Sequence, residues 1–260
     1  MDKIYVIRYG EISLKGRNRI DFENKLVRNI EKALKPFDGE YKVRRVHNRI
    51  YVSSSIDVFD RVFGIVSYSL AKEIDFDLEK IKEIVNEKLS GLEFDSFRIS
   101  TKRMDDTIKI SSMDLDKEIG AFVCSEFGKK VSLKEFDIEV GIEARAGKAY
   151  VFLEKFPGLG GLPVGVSKAV YCKIDCSRDL LAALLVMKRG CDIIVDKEWS
   201  LLAKYHPGSL NLGSIDDSDV IVVGDTIETL QDYGDKFVLR PLIAFSDEEI
   251  DNLLNEYGKW

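Results

Sequence analysis

Two acidic residues stand where a phosphate-binding turn would need glycine. Residues 169–174 read as a buried strand, and residues 180–189 (LLAALLVMKR) read as an apolar helix. The N–H groups at the start of such a helix bind phosphate well when glycine lets the anion approach the main chain. Residues 174–180 (IDCSRDL) contain no glycine and carry Asp175 and Asp179. The sequence therefore predicts that this turn repels a polyphosphate and that Asp179 or Ser177 caps the helix.

Cysteine is the second residue type that invites a chemical interpretation. Cys172 and Cys176 are spaced C-x3-C, whereas zinc and dithiol sites usually use C-x2-C, and no nearby histidine completes a set of four ligands. Cys172 falls in the predicted strand, so we expect a small buried hydrophobe there. No metal site is predicted. The histidines, His47 and His206, have no nucleophile beside them in sequence and are interpreted as incidental.

Basic residues near the ends of predicted elements are the candidates for contact with nucleic acid. One group precedes the first helix, where cations and an amide can hold a phosphate backbone; a solvated helix start is the alternative. A second pair follows a strand, and a third follows a glycine at a helix end, where cations are also common for electrostatic reasons. The candidates are Lys15, Arg17, Asn18, Arg19, Lys102, Arg103, Lys129 and Lys130.

The net charge of −6 is unevenly distributed along the chain. Residues 1–62 carry 14 Lys+Arg against 9 Asp+Glu, whereas residues 166–260 carry 10 against 17. A basic N-terminal part favours contact with an anion such as RNA, and chance clustering on a solvated surface is the alternative. No apolar run approaches the ~20 residues that span a membrane. Together with four cysteines in 260 residues, this predicts a protein of the reducing cytoplasm.

The hydrophobic pattern mixes strands and helices throughout, so the predicted fold class is α/β. Residues 1–63 read as strand 3–8, helix 18–34, a hairpin about His47 and Asn48, and a short helix over 56–63, the order of a ferredoxin-like domain. Residues 64–70 read as a connector. A second domain over 64–157 follows, with helix 78–89, strand 96–101, helix 113–127 and strands 136–142 and 149–154.

A glycine- and proline-rich connector is predicted over residues 158–165 (GLGGLPVG), leading into a third domain over 166–260. Residues 192–195 and 220–223 read as short parallel-type strands, and residues 247–257 as a closing helix. Only about seventy residues follow Gly190, whereas each β-α unit takes ~30. We therefore expect a truncated parallel α/β domain.

Several segments resemble the tRNA 4-thiouridine synthetase family, whose sulfurtransferase activity also serves thiamine synthesis. They are RYGEISLKGRNR (8–19), SFRISTKRMDDTI (96–108), IEARAGKAYVF (142–152), GLGGLPVG (158–165), MKRG (187–190) and VLRPLI (238–243). The resemblance implies that residues 64–157 form a THUMP domain, an α/β module that binds tRNA. It also implies that Lys102 and Arg103 belong to the surface facing the acceptor end of the tRNA.

The resemblance further implies a degenerate ATP-pyrophosphatase-like domain. In the family an SGGIDSP loop holds the ATP polyphosphate, and counting back from Gly190 without a gap aligns it with residues 174–180. That loop position holds Ile174, Asp175, Cys176, Ser177, Arg178, Asp179 and Leu180. Our hypothesis is that the capping carboxylate fills the phosphate site, so ATP is not expected. The family's sulfur-accepting cysteine lies after VLRPLI, but residues 244–260 contain none, and no catalytic residue is assigned.

The leading hypothesis is a tRNA-binding protein that recognises the acceptor stem and the 3′ end without adenylation or sulfur transfer of its own. Its third domain would cover the THUMP unit, hold a homodimer, or recruit a separate modification enzyme. A second hypothesis is an active tRNA sulfurtransferase with a rearranged site using Cys172 or Cys176. A third is a scaffold whose third domain binds a protein partner and whose RNA surface is vestigial. An exposed apolar patch on residues 191–220, with no affinity for tRNA, would favour it.

Overall fold

The computed structural model describes residues 3–258, which form two compact units. The first unit consists of residues 3–7, 51–54 and 68–156, and the second of residues 8–50, 55–67 and 157–258. Neither unit is continuous in sequence, because strands from the N-terminal part belong to the first unit and the helix between them belongs to the second. In the described part, no helix is long and apolar enough to cross a membrane.

Within residues 3–258, the regular structure consists of fourteen strands, six α-helices and four short 3-10 helices. The strands are β1 (Lys3–Arg8), β2 (Lys42–Val46), β3 (Arg49–Ser53), β4 (Ser67–Asp75), β5 (Ser96–Arg103), β6 (Lys130–Val131), β7 (Ile138–Arg145), β8 (Lys148–Phe152), β9 (Phe156–Pro157), β10 (Leu162–Cys172), β11 (Arg189–Val195), β12 (Asn211–Leu212), β13 (Val220–Val222) and β14 (Phe237–Leu239). The helices are α1 (Arg19–Leu34), α2 (Leu78–Leu89), α3 (Ser112–Phe127), α4 (Ser177–Lys188), α5 (Ser200–Tyr205) and α6 (Asp247–Gly258).

The first unit is a mixed sheet in the order β3-β1-β4-β8-β7-β5-β6, with β9 paired to β4. β5 and β7 run parallel, whereas β7 and β8 form an antiparallel hairpin. The helices α2 and α3 contribute an apolar core that includes Ile81, Val85, Ile119 and Val123, all fully buried with the inward residues of β5, β7 and β8. This confirms the predicted helix 78–89 and, within one residue, the helix over 113–127.

Strand β4 is the main element that the sequence pattern fails to predict. Residues 64–70 read as a connector, but β4 begins at Ser67. Ser67, Tyr68 and Ser69 are all buried, so the start of this strand is covered on both faces and two inward positions are polar. Because buried serines resemble loop residues in a hydrophobicity pattern, the expected alternation of a half-exposed strand is absent.

Strand β5 is longer than the predicted strand over 96–101. It continues to Arg103, so Lys102 and Arg103 lie within the strand and not after it. Their partners on β7 are Glu143 and Ala144. The ladder with β7 extends the strand past the point where the sequence becomes polar.

The second unit is built on a parallel sheet in the order β12-β11-β10-β13-β14. Its apolar core contains Leu181, Ala182, Leu184 and Met187 of α4, all fully buried. Tyr205 anchors this core because its hydroxyl donates to the carbonyl of Tyr257, 2.6 Å away. The predicted helix over 180–189 is therefore present, but it runs from Ser177 to Lys188.

The glycine-rich segment before β10 is tied to the second unit and does not hang as a free linker. The N–H groups of Gly158 and Gly160 donate to the carbonyls of Val66 and Ile65, and Gly64 N–H donates to Gly160 O. The structure also carries β10 through the second half of the predicted connector, from Leu162 onward. Buried Leu162 and Val164 explain this, because their apolar side chains face the interior in strand alternation.

The predicted helix over residues 56–63 is also wrong. The structure shows a single 3-10 turn at Phe59–Arg61, flanked by Val58 and Val62 in extended or irregular conformations. Val58, Phe59, Val62 and Phe63 are all buried. These four side chains are buried on more than one side of the segment, whereas a surface helix buries a single face. Two of them are valines, whose β-branched side chains lower helix propensity.

Truncation in the core of the second unit should be costly. We expect Leu184→Ala to lower its free energy of unfolding by about 2–5 kcal/mol, because the fully buried side chain leaves a cavity. Urea denaturation followed by circular dichroism measures the change. Leu212→Ala, at a side chain that is 63% exposed, is the matched control and should shift stability by less than about 0.5 kcal/mol. Equal effects of the two substitutions would contradict the described core.

Candidate nucleic-acid interface and the loop before the fourth helix

A carboxylate of the chain itself binds the backbone N–H groups of the loop between β10 and α4. Asp179 Oδ2 accepts the N–H groups of Asp175 and Cys176 at 3.0 and 3.1 Å. Its other oxygen, Oδ1, accepts the N–H of Gly224, which follows β13, at 2.7 Å. These three N–H groups converge at the carboxyl ends of two adjacent parallel strands, the usual ligand position of such a sheet. One carboxylate of the chain therefore satisfies three backbone donors from two elements.

Glycine is required on the β13 side of this arrangement. A Cβ atom at Gly224 would lie 2.7 Å from the backbone nitrogen of Asp179 and 2.8 Å from its Oδ1. Such a Cβ would separate the backbone of Gly224 from the carboxylate that it binds. The closed loop thus depends on two residues 45 positions apart, Asp179 and Gly224.

Neither predicted residue is the N-cap of α4. The helix begins at Ser177, and Cys176 is the capping residue, with extended φ and ψ of −148° and 178°. An N-cap must have non-helical backbone angles, and Ser177 and Asp179 both lie inside the helix. Asp179, as the third helical residue, instead bonds back to the N–H of the cap, which is the reciprocal half of a capping box.

Beside Asp179 lies an open cavity of about 200 Å³ lined by charged side chains. Its cations are already paired, because Lys173 bonds to Asp175 and Arg178 lies 2.8 Å from Asp247. Asp225, which is buried, accepts a hydrogen bond from Arg240 of the VLRPLI segment at 3.2 Å. Pockets that enclose small ligands usually measure about 300–1,000 Å³. The space here is smaller and has no unpaired cation among its described lining residues.

The four cysteines are free thiols, and only Cys176 is exposed. Cys172 is buried in β10, as the strand pattern predicts, and burial raises the pKa of its thiol well above the usual range. Cys176 Sγ lies 3.4 Å from Asp179 Oδ2, so a negative charge already stands beside it. Within residues 3–258, no group of three His, Cys, Asp or Glu side chains is arranged to hold a metal ion.

The basic residues before α1 divide into exposed and internally bound members. Arg17 and Asn18 are exposed, whereas Lys15 lies over the ring of Phe22 at 5.2 Å. Arg19 is held from inside: its Nε donates to Glu23 at 2.7 Å and its Nη2 to Asn48 at 2.5 Å. The turn preceding the helix therefore offers Arg17 to solvent while Arg19 shapes the wall behind it.

Glu23 is the centre of this arrangement, and the sequence did not reveal it. The buried carboxylate accepts from the Tyr9 hydroxyl at 2.6 Å and from Arg45 Nη1 at 2.6 Å, in addition to Arg19. Burial raises the pKa of Glu23, but the hydrogen bonds from Tyr9, Arg19 and Arg45 outweigh it, so the net pKa is lowered. The spacing of Arg19 and Glu23 by four helical residues was the signal available in the sequence.

These residues line a cavity of about 610 Å³ next to the hairpin turn. Arg17, Arg19 and Arg45 all contribute to its wall, and Glu23 is the acidic residue of the lining. Because Glu23 binds two of the three guanidinium groups, the cations stay fixed in position and the local charge remains positive. Such a fixed positive wall suits contact with a phosphate backbone.

The candidates in the first unit lie far apart along one strand pair. Lys130 of β6 is opposite Ser96 at the start of β5, and Lys102 is six residues further on. At ~3.3 Å per residue, about 20 Å separates them. Lys102 and Lys130 are exposed, whereas Arg103 donates to Ile108 O at 3.1 Å and Lys129 Nζ lies 3.7 Å from Asp95. They form an extended track and not a compact patch.

His206 has a structural place that its position in the sequence did not suggest. Its ring nitrogens lie 2.9 Å from Asp192 Oδ1 and 3.0 Å from Gly208 O. Burial raises the pKa of Asp192, yet the hydrogen bond from His206 contributes to a net lowering. The imidazole therefore holds the loop over residues 206–209 against β11.

An exposed apolar patch on residues 191–220 would favour the scaffold hypothesis, but the structure exposes few large apolar side chains there. In that range of described residues only Leu212 is both large and exposed. The exposed large apolar side chains cluster later in the sequence, at Ile227, Leu230, Phe237, Leu239 and Ile243. The described residues 191–220 therefore do not supply the apolar surface that would favour the scaffold hypothesis.

Two domain families match the chain. Residues 4–69 match the ThiI ferredoxin-like domain, and residues 73–154 match the THUMP domain. A probable tRNA sulfurtransferase of Thermococcus kodakarensis is 35% identical over 235 residues, which cover 80% of this chain and 62% of that protein. One from Thermoanaerobacter pseudethanolicus is 36% identical over 259 residues, covering 96% and 64%. The chain thus spans somewhat less than two thirds of these relatives.

Solved structures give the same fold over a greater share of their length. PH1313 of Pyrococcus horikoshii superposes with a TM-score of 0.86 at 29% identity, covering 98% of this chain and 99% of that one. A 4-thiouridine synthetase in complex with RNA and ATP superposes with a TM-score of 0.80 at 21% identity, covering 99% and 85%. At 21% identity, the comparison with the 4-thiouridine synthetase shows a shared fold.

The Glu23 cluster should contribute stability that depends on pH. We expect Glu23→Gln to lower the free energy of unfolding by about 1–3 kcal/mol at pH 7, because Arg19 and Arg45 lose their common charged partner. The folded-state pKa of Glu23 lies below its unfolded value of about 4.3, so this contribution is complete above that pH. It is lost as the pH falls through the folded-state pKa.

Urea titrations at pH 7 and at pH 3 measure this dependence. The difference between wild type and Glu23→Gln should be smaller at pH 3. Glu31→Gln, a half-buried position on the same helix, is the control and should show no such dependence. A difference that is the same at both values would contradict the charged network.

Proposed function

Because the chain belongs to the tRNA 4-thiouridine synthetase family, we propose that it binds tRNA at the acceptor stem and the exposed 3′ end. The THUMP match over residues 73–154 is the observation that carries this proposal. Duplex RNA shows little base information in its deep groove, so recognition would use shape, phosphates and unpaired bases. Exposed Lys102 and Lys130, about 20 Å apart along β5 and β6, suit contacts to separated phosphates.

Binding would also use the turn before α1. Arg17 is exposed there, and the wall behind it is fixed by Glu23 through Arg19 and Arg45. A guanidinium held in place loses little conformational freedom when it meets a phosphate. This supports a contribution of the fixed Arg19 to the RNA surface. Arg17 and Asn18 are exposed beside it, and we assign them, with Lys15, to the same surface.

We further propose that the chain neither adenylates tRNA nor transfers sulfur on its own. The carboxylate of Asp179 supports this, because it occupies the N–H groups of Asp175, Cys176 and Gly224. A phosphate entering this loop would have to displace Asp179 and would then face its negative charge. In this proposal the chain presents bound tRNA to a separate modification enzyme, and ATP is not its cofactor.

The second candidate function is tRNA sulfurtransferase activity in the 4-thiouridine or thiamine pathway. The names of the relatives at 35% and 36% identity favour it. Cys176 is the exposed thiol of the loop and would be the residue to carry sulfur. For this function Asp179 would have to leave the N–H groups that it binds, so that a nucleotide could take its place.

Replacing the two cations at the end of β5 should weaken tRNA binding. We expect Lys102→Ala with Arg103→Ala to reduce affinity for an acceptor-stem minihelix and to lower the slope of log K against log[salt] by about one to two. Fluorescence titration from 50 to 200 mM salt measures both quantities. The control is Lys80→Ala with Lys117→Ala, which removes the same charge from exposed positions on α2 and α3. Equal effects of the two pairs would show that the surface is misplaced.

Pyrophosphate release distinguishes the two candidate functions. With ATP and minihelix present, we expect no release above a protein-free blank, because the loop donors already bind Asp179. A full-length tRNA sulfurtransferase serves as the positive control for the assay. Release that depends on minihelix would instead establish adenylation, the first step of the second function. Formation of thiolated minihelix with a sulfide or persulfide donor, lost in Cys176→Ser, would establish sulfur transfer through that thiol.

A further inference from the structure

A second cavity of the second unit has no part in either loop described above. It measures about 760 Å³ and lies where the end of α1, residues 61–63 and α5 with its following loop come together. Its volume falls within the ~300–1,000 Å³ usual for ligand sites. The residues that give it its character are Lys32, Lys35, Phe37, Arg61, Glu198 and Lys204.

The cavity is strongly cationic. Four lining side chains carry a positive charge, and Glu198 is the single carboxylate of the lining. Within residues 3–258, Lys32 and Lys35 have no ion-pair partner. Lysines at the end of α1 also stabilise that helix through its dipole. That explanation does not cover Arg61 or Lys204, which reach the same cavity from other elements.

An aromatic ring lies beside these cations. Phe37 lines the cavity and is 39% exposed, so part of its surface is open to a ligand. The guanidinium of Arg61 covers the ring with its carbon 5.3 Å from the centroid, and Arg61 is itself held by Ala33 O at 3.2 Å. A partly exposed ring next to several cations is the arrangement on which unpaired bases stack while their phosphates are neutralised.

The far wall of the cavity is held in place before any ligand arrives. His206 joins Asp192 to Gly208 O, and the Tyr205 hydroxyl bonds to Tyr257 O. Lys204 immediately precedes these two fixed residues, and its Nζ lies 5.3 Å from the centroid of the Tyr205 ring. Side chains on a rigid wall lose less entropy on binding than those of a mobile loop.

We infer that this cavity binds one unpaired nucleotide, with the base on Phe37 and the phosphate between Lys35 and Lys204. Glu198 would accept a hydrogen bond from a ribose hydroxyl or an exocyclic amine. The inference rests on the proposed function where the nucleotide belongs to bound RNA. The same chemistry would admit a free nucleoside monophosphate, so the test must separate the two sources.

The test uses three probes: AMP, a single-stranded RNA pentanucleotide, and the acceptor-stem minihelix. Phe37→Leu removes stacking and Phe37→Tyr retains it. Lys35→Ala with Lys204→Ala removes two cations, and Lys117→Ala with Lys168→Ala is its control at exposed positions outside the cavity. Calorimetry measures AMP binding, and fluorescence anisotropy measures RNA binding at 50 and 150 mM salt.

For the pentanucleotide we expect Phe37→Leu to weaken binding about fivefold or more, which corresponds to the ~1 kcal/mol lower end for stacking of one base. Phe37→Tyr and the control pair should stay within about twofold. The Lys35 and Lys204 pair should weaken binding about tenfold at low salt and lower the salt slope by about one. AMP binding with the same sensitivity identifies a free nucleotide as the ligand; sensitivity confined to RNA identifies a nucleotide within a strand.

The inference would be overturned if neither probe binds, or if the affinities for the pentanucleotide and for AMP are unchanged in all cavity variants. The minihelix keeps this result distinct from failure of the proposed function. If minihelix binding depends on Lys102 and Arg103 but no probe depends on the cavity variants, the cavity inference fails and the tRNA-binding proposal stands. If binding depends neither on Lys102 and Arg103 nor on the cavity variants, both the tRNA-binding proposal and the cavity inference fail.

Discussion

The hydrogen bonds to Asp179 are the constraint on which the second unit depends most directly. Parallel strands that end side by side, followed by a helix, leave several N–H groups pointing into one crevice. A single carboxylate on the first turn of α4 satisfies donors from the preceding loop and from Gly224 after β13. Helix, loop and neighbouring strand are thereby joined at one point. A neutral, short side chain at position 179 would leave those donors for water or for a ligand.

Charge in this protein is largely arranged by internal pairing. Around the Asp179 loop, Lys173 and Arg178 are paired with carboxylates, and the cavity retains no described cation for a phosphate. Near α1 the pairing has the opposite result, because Glu23 fixes two guanidinium groups while exposed Arg17 remains beside them. The same type of ion pair thus neutralises the cations beside the Asp179 loop and fixes the guanidinium groups beside α1. Net charge, at −6, conceals both effects.

Local patterns predicted local elements well. β1 and α2 begin and end where alternation or helical periodicity places them, and β2 and β3 flank the predicted hairpin turn at His47 and Asn48. The sequence does not predict β4, because two of its inward positions are serines and break the apolar alternation of a strand. It does not predict β14 either, because three residues are too few to show a hydrophobic pattern. The carboxylate closure followed from glycine-free sequence, but its third donor, Gly224, is 45 residues away. The cationic cavity needed Lys35, Arg61 and Lys204 together, which only the tertiary fold provides.

An RNA-binding surface and a nucleotide-binding loop place different demands on the residues that form them. A surface that binds RNA by phosphates tolerates gradual change, since each cation contributes a similar increment. A loop that binds polyphosphate is less tolerant, because its N–H groups must be satisfied whether or not nucleotide is present. Asp179 meets that requirement without a ligand. The fold that this chain shares with PH1313 over 98% of its length therefore does not need a ligand to satisfy the loop donors, because Asp179 binds them.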